Sequence, residues 1–298
     1  MENKMSGVYA AMLTLFNEDG EVCEKRIRKH VKFLISKGLH GLYICGGTGE
    51  GLLMSVEERK RVAEIVKDEA GTKIKIIAHI GTLNTRDAVA LAQHAEDIKL
   101  DALSSIPPIY FKYTFENIYN YYKTVAESTS LPFYMYYIPG STGISLSNDK
   151  IAELGNIKNI KGLKYTATDF YTLQDLLIKM NGKWIAFSGP DEMSLPALTM
   201  GVAGSIGSTQ NVLPEIFVKI YNNFHAGKIK EAAALQKRIT YAVSTLHKFG
   251  FPGWKAALQL RGIDSGYCRP PFTTKLPVSK QKELAGLWKK YFPEYYGK

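Results

Sequence analysis

Short apolar runs alternate along the chain with longer segments whose apolar residues recur at three- and four-residue spacing. The runs at residues 8–14, 41–45, 74–80, 101–106, 132–138, 160–166, 183–187 and 203–207 read as buried strands. Pro107-Pro108 closes the fourth and Pro139-Gly140 the fifth. Between them, 24–36, 85–98, 115–127, 147–154, 169–180 and 213–225 read as helices. Gly38 stops the first of these. Ser55, with Glu58 three residues on, makes a capping box that opens another. Pro190-Asp191-Glu192 leads into a further helix. Eight strand–helix units at intervals of roughly 20–30 residues fit an α/β fold of the (β/α)₈ TIM-barrel type better than an open sheet. Beyond Gly227 the strands stop, and 228–248, 253–261 and 279–291 read as helices packed outside the barrel. No linker divides the chain. The expectation is one structural domain: a barrel over 1–227 and a C-terminal helical extension over 228–298.

Composition narrows this picture little. With 298 residues, 45% of them hydrophobic, the chain has material for a full core and is not a disordered one. No apolar run approaches bilayer length, and residues 1–7 lack the apolar core of a signal peptide. Cys23, Cys45 and Cys268 are odd in number, far apart and in no metal-binding spacing. A cytoplasmic protein with reduced thiols and no bound metal is expected. The formal net charge of +10 raises the question of nucleic acid. Its densest basic stretch, residues 25–32, interleaves with Ile27, Val31 and Leu34 as a solvated helix face does, and no nucleic-acid motif accompanies it. An inert basic surface is the simplest reading, with steering of small anions as the alternative.

The chemistry centres on residues 160–166, where Lys164 sits at the carboxyl end of an apolar strand. Lysine is among the residues least often buried. A desolvated amine loses basicity, and its neutral form attacks ketones to give a Schiff base. Alternatively, Lys164 reaches the surface or pairs with a carboxylate. In a barrel the active site lies at the carboxyl ends of the strands. Those ends carry Gly47-Thr48-Gly49-Glu50, Tyr110, Tyr136, Lys164 with Thr166, Asp191-Glu192 and Gly207-Ser208. Each has a plainer role when taken alone. Tyr136 can be a core tyrosine, and Asp191 and Glu192 can serve a helix N-terminus. The glycine loop can be a tight turn, although its backbone N–H groups also suit a carboxylate or phosphate. It has neither the Walker nor the dinucleotide pattern. His79 and Cys45 read as packed core residues.

Three segments together carry a resemblance: Gly47-Thr48-Gly49-Glu50, Tyr136-Tyr137-Ile138-Pro139, and Gly162-Leu163-Lys164-Tyr165-Thr166, with Lys164 28 positions after Tyr136. From Gly7 to about Phe292 the chain resembles the family of dihydrodipicolinate synthase and N-acetylneuraminate lyase, Schiff-base aldolases on a (β/α)₈ barrel. Gly189-Pro190-Asp191-Glu192, Ile206-Gly207-Ser208-Thr209 and Gly266-Tyr267-Cys268-Arg269 look like the lyase branch. The resemblance implies that Thr166, Gly189, Asp191, Glu192 and Ser208 hold a sugar-acid tail. No arginine follows the Tyr-x-x-Pro stretch in 140–144, which argues against dihydrodipicolinate synthesis.

The implied mechanism has Lys164 attack the keto carbon of a 2-keto acid whose carboxylate is held by the Gly47–Thr48 backbone and the Thr48 hydroxyl. The C3–C4 bond of a 4-hydroxy-2-keto acid then breaks, giving a sugar-derived aldehyde and the enamine of pyruvate. Tyr136 moves the 4-hydroxyl proton by hydrogen-bonded transfer, supported by Tyr110 from a neighbouring subunit. No cofactor is implied, and the family's habit implies a homo-oligomer, most often a tetramer built as a dimer of dimers. Two departures stand out. Gly47 takes the place of a hydroxyl residue that links two tyrosines in the family's proton relay, and Leu15 takes the place of a proline. The rival readings are a 2-keto-3-deoxy sugar-acid aldolase or dehydratase, dihydrodipicolinate synthase itself, and a non-catalytic keto-acid-binding barrel.

Overall fold

A computed structural model describes residues 5–297. Eight strands close into a barrel in chain order: β1 (Gly7–Ala11), β2 (Gly41–Ile44), β3 (Lys75–His79), β4 (Ala102–Ser105), β5 (Phe133–Tyr137), β6 (Ile160–Tyr165), β7 (Ile185–Ser188) and β8 (Gly204–Gly207). All neighbours are parallel, and β8 returns to β1. The TIM barrel read from the sequence is the fold. The first apolar run leaves the sheet earlier than its composition indicates. Past Ala11 the Leu13 N–H bonds the Asn211 side chain at 3.0 Å instead of a neighbouring strand.

Alternation along the strands divides two cores. Tyr9, Ala11, Tyr43, Ile77, Ala102, Tyr134, Tyr136, Phe187 and Ile206 pack inside the barrel. Val8, Leu42, Ile44, Ile76, Leu103, Phe133, Met135 and Leu163 belong to the core shared with the helices. Lys164 follows Leu163 and precedes Tyr165, both in that outer core, so its side chain points into the barrel.

The covering helices are α1 (Glu24–Ser36), α2 (Val56–Ala70), α3 (Thr85–Asp97), α4 (Phe115–Glu127), α5 (Pro139–Thr142), α6 (Asn148–Leu154), α7 (Phe170–Met180), α8 (Ser194–Thr199) and α9 (Pro214–His225). Ser55 and Glu58 form the reciprocal capping box of α2, and Thr114 caps α4 with Asn117 in the same way. The single turn α5 was not expected from the sequence. Pro139, read there as a stop, instead occupies the first helical position, where its missing N–H costs nothing. Asp191–Met193 form a 3₁₀ turn before α8.

Three further helices follow: α10 (Ile229–His247), α11 (Pro252–Leu260) and α12 (Val278–Tyr291). Buried Gln236 of α10 takes the Leu195 N–H at 2.8 Å and donates to the Asp191 carbonyl at 3.2 Å, so the C-terminal helices brace the rim. No helix among the described residues is long and apolar enough to cross a membrane.

Candidate active site

Strand register sets Lys164 beside Tyr136 of β5 and Phe187 of β7. Lys164 is 4% exposed. Its Nζ lies 4.1 Å from the ring centroid of Tyr136 and 4.5 Å from that of Tyr43. Among the described residues no carboxylate comes within ion-pair distance of it. Ring faces attract an ammonium group through their quadrupoles, but they are not counter-ions. The alternatives in which Lys164 reaches the surface or pairs with an acid are thereby set aside.

Tyr43 comes from β2 and donates its hydroxyl to Ser104 at 3.1 Å. Burial pushes that hydroxyl well above the ordinary phenol range, and the nearby Tyr136 pushes it further. Tyr136 stands edge-on to Tyr43 at 6.0 Å and to His79 at 5.9 Å. Among the described residues its own hydroxyl has no hydrogen-bond partner, so a substrate hydroxyl can take that place. Tyr43 and His79 were not singled out from the sequence as site residues. The signal for Tyr43 was its place in the alternation, inward between outward Leu42 and Ile44.

The wall formed by β7, β8 and the loop after β2 is polar. The Asp191 carboxylate accepts the Thr209 N–H at 2.7 Å through Oδ2, while its buried Oδ1 has no hydrogen-bond partner in the described chain. Burial pushes the Asp191 carboxyl up to about 6, with the Glu192 charge adding to the rise and Lys164 opposing it. Glu192 is half-buried in the same turn. Thr48 and Ser208 join the β2 loop to the end of β8 through a 2.6 Å hydroxyl–hydroxyl hydrogen bond. The Thr166 hydroxyl is buried and has no hydrogen-bond partner among the described residues.

Gly189 and Gly207 are explained by these neighbours. A β-carbon at 189 would overlap the Thr166 hydroxyl, and one at 207 would overlap Asp191 Oδ1. Both glycines make room for those polar groups.

Three expected rim residues behave differently. Glu50 turns away from the mouth and pairs with Lys255 at 2.6 Å, while also accepting the Arg269 N–H at 2.7 Å. Its place in the glycine motif is structural. Tyr110 is 88% exposed, with a left-handed φ of 84°, and its ring meets Phe111. It does not reach Tyr136 within one chain. Gly47 is exposed, and a β-carbon there would meet nothing within 4 Å, so packing does not require glycine at this position.

A barrel whose strand ends gather a buried amine without a counter-ion among the described residues, two phenols against it and a buried carboxyl near it is equipped for amine catalysis on carbonyl compounds. The chain belongs to the dihydrodipicolinate synthetase family, whose model matches residues 4–290. It is 38% identical over 292 residues to an N-acetylneuraminate lyase of Clostridium perfringens, covering 97% of this chain and 100% of that protein. To the N-acetylneuraminate lyase of Pasteurella multocida it is 37% identical over 289 residues, covering 96% and 98%. Among solved structures it is similar to CdNal from Clostridium difficile in complex with mannosamine, with a TM-score of 0.93, 36% identity and coverage of 97% and 100%. The N-acetylneuraminate lyase of Fusobacterium nucleatum superposes with a TM-score of 0.91 at 35% identity, covering 96% and 99%.

Proposed function

We propose that this chain is a carbon–carbon lyase that cleaves N-acetylneuraminate to N-acetylmannosamine and pyruvate through a lysine imine. The observation that carries this reading is the buried Lys164 amine, set against two phenols and free of any described counter-ion. The similarity to N-acetylneuraminate lyases over nearly the whole chain supports the choice of substrate.

Lys164 Nζ adds to the C2 ketone and water leaves, giving a protonated imine. The backbone amides at Gly47 and Thr48, with the Thr48 hydroxyl, hold the substrate carboxylate. The electron pair of the C3–C4 bond then flows toward the iminium nitrogen, while the C4 hydroxyl loses its proton by way of Tyr136. The aldehyde departs, the enamine takes a proton at C3, and hydrolysis frees pyruvate and the amine. Thr166, Gly189, Asp191, Glu192, Gly207 and Ser208 form the wall for the polyol tail. Unpaired Asp191 Oδ1 and Thr166 Oγ1 are the groups with hydrogen-bonding capacity to spare.

Tyr110 acts from a second copy of the chain in a homo-oligomer assembled as a dimer of dimers. Exposed Leu52, Leu83, Tyr110 and Phe111, all in the connections that follow the carboxyl ends of β2, β3 and β4, support such a contact. The enzyme works in the cytoplasm and uses no cofactor.

A panel of N-acetylneuraminate, 2-keto-3-deoxygluconate, and aspartate semialdehyde with pyruvate tests the assignment. Release of pyruvate from N-acetylneuraminate at the highest kcat/KM is expected. A higher kcat/KM on either other substrate overturns the choice of substrate.

A further inference from the structure

We propose that His79 is a positioning residue for this chemistry: its imidazole joins the carboxyl ends of β2, β3 and β4 and so holds the glycine loop and the Tyr136 ring in place around Lys164. The inference rests on Lys164 being the imine-forming amine and adds a residue that acts through its neighbours.

His79 ends β3 and is 3% exposed. Its Nε2 accepts the Ile106 N–H at 3.3 Å, and its Nδ1 lies 3.2 Å from the Cys45 carbonyl oxygen. The Ile106 N–H can only donate, so Nε2 is the acceptor and the neutral ring carries its proton on Nδ1, toward the Cys45 carbonyl, with Arg59 Nη2 farther off at 3.5 Å from the same nitrogen. Burial drives the ring away from protonation, and Arg59 and Lys164 do so further. An imidazolium would be a second buried cation against the Arg59 guanidinium, so this ring serves as a fixed donor and acceptor and not as an acid.

Both partners of the ring open functional segments. Cys45 follows β2 directly and leads into Gly46-Gly47-Thr48-Gly49, the loop assigned to the substrate carboxylate. Its φ of 58° is left-handed, a conformation that costs a residue with a β-carbon roughly 1–2 kcal/mol. The bond from His79 anchors that carbonyl in the unfavourable conformation. Ile106 follows β4 and begins the segment that carries Pro107-Pro108 and Tyr110. The same imidazole stands edge-on to Tyr136, with an interplanar angle of 90°, and tilts over Tyr43 at 6.1 Å. These are the two rings that face Lys164.

Arg59 packs against the Nδ1 edge of the ring. Its guanidinium donates to the Gly81 carbonyl at 2.9 Å and to the His79 carbonyl, fixing the end of β3 from α2.

Two variants separate bonding from bulk. His79→Phe keeps a ring against both tyrosines and removes both hydrogen bonds, leaving a buried carbonyl and N–H unpaired. His79→Gln keeps a donor and an acceptor. The measurements are borohydride trapping as a function of pyruvate concentration, kcat and KM for cleavage, and circular dichroism for the fold. In His79→Phe, half-trapping is expected to need about tenfold more pyruvate, as the loss of one or two buried hydrogen bonds would give. Its kcat/KM is expected to fall about 100-fold from misplacement of the loop and phenol. His79→Gln should recover most of the pyruvate response. A His79→Phe protein within about twofold of wild type in both readouts overturns the inference, as does a His79→Gln protein no better than His79→Phe.

Should His79→Phe fail to fold, nitrogen-15 NMR of the histidine-labelled wild type decides. The inference requires a neutral ring protonated on Nδ1 at neutral pH whose signals move when the imine is trapped. A charged ring, the other tautomer or unmoved signals contradict it. Wild-type protein that forms no adduct refutes the amine chemistry itself, whereas a normal wild-type adduct with unmoved variants refutes only the role of His79.

Discussion

Two lysines in this molecule are buried to nearly the same depth, Lys164 at 4% and Lys255 at 3% exposure, and their surroundings are opposite. Lys255, on α11, pairs with Glu50 at 2.6 Å, bonds the Tyr267 carbonyl and lies over the Phe16 ring. Burial pulls its amine below the ordinary lysine range, while Glu50 pushes it back up. Lys164 lies over the rings of Tyr43 and Tyr136, and among the described residues no carboxylate comes within ion-pair distance of it. The nearby acid Asp191 resists ionisation, because burial outweighs the pull of the Lys164 charge. Burial alone therefore does not mark a reactive amine. A buried lysine with a carboxylate against it is a structural ion whose charge is held in place. One set against phenols, with no such partner, is available for covalent chemistry.

The comparison breaks first at Lys164→Met. Cleavage should fall by more than about a thousandfold, since the proposed nucleophile is gone, with thermal unfolding unchanged or shifted upward. Residual turnover above that level would show that another group carries the reaction. Lys255→Met should do the reverse in kind. It strands Glu50 in the interior, and chemical denaturation should register a loss of about 3–5 kcal/mol. A variant as stable as wild type would mean that Lys255 is not the structural counterpart described here.

Tyr136→Phe sharpens the contrast within the site. The pyruvate adduct should still form, while turnover drops about 100-fold, the usual worth of a positioned proton donor and acceptor. Unchanged turnover would remove Tyr136 from the proton path.

Asp191 supplies an effect confined to one pH window. Burial pushes its carboxyl up to about 6 in the folded chain, from the ordinary aspartate value of 3.8. Between those values the folded chain holds a proton that the unfolded chain releases, so this group favours folding most at low pH. That contribution is lost as pH rises through about 6. Asp191→Asn should therefore be more stable than wild type at pH 7 by up to about 3 kcal/mol, with the difference vanishing near pH 4. Urea midpoints measured across that range check it, and a difference that grows toward low pH would contradict the assignment.

Much of the barrel was legible because its signals are local. Residues 24–36 and 115–127 match α1 and α4 end to end, since amphipathic spacing and the polar residues at their ends lie within a few residues of each other. The Ser55–Glu58 capping box was legible for the same reason. Lys164 could be placed at the carboxyl end of a buried strand from the apolar run that precedes it. What the sequence hid was long-range. Nothing near Glu50 announces that its partner is Lys255 on α11, so the acid was read as part of the rim. Nothing near His79 announces that its two nitrogens reach Cys45 and Ile106. Gly189 and Gly207 were read as substrate contacts, and only packing reveals whose side chains fill the space beside them.

The most direct test of the contrast between the two buried amines is borohydride reduction of the protein in the presence of pyruvate, followed by peptide mapping. A single stable adduct on the peptide carrying Lys164, with the Lys255 peptide unmodified, is the predicted result. A folded protein that forms no adduct, or forms it elsewhere, would contradict the account.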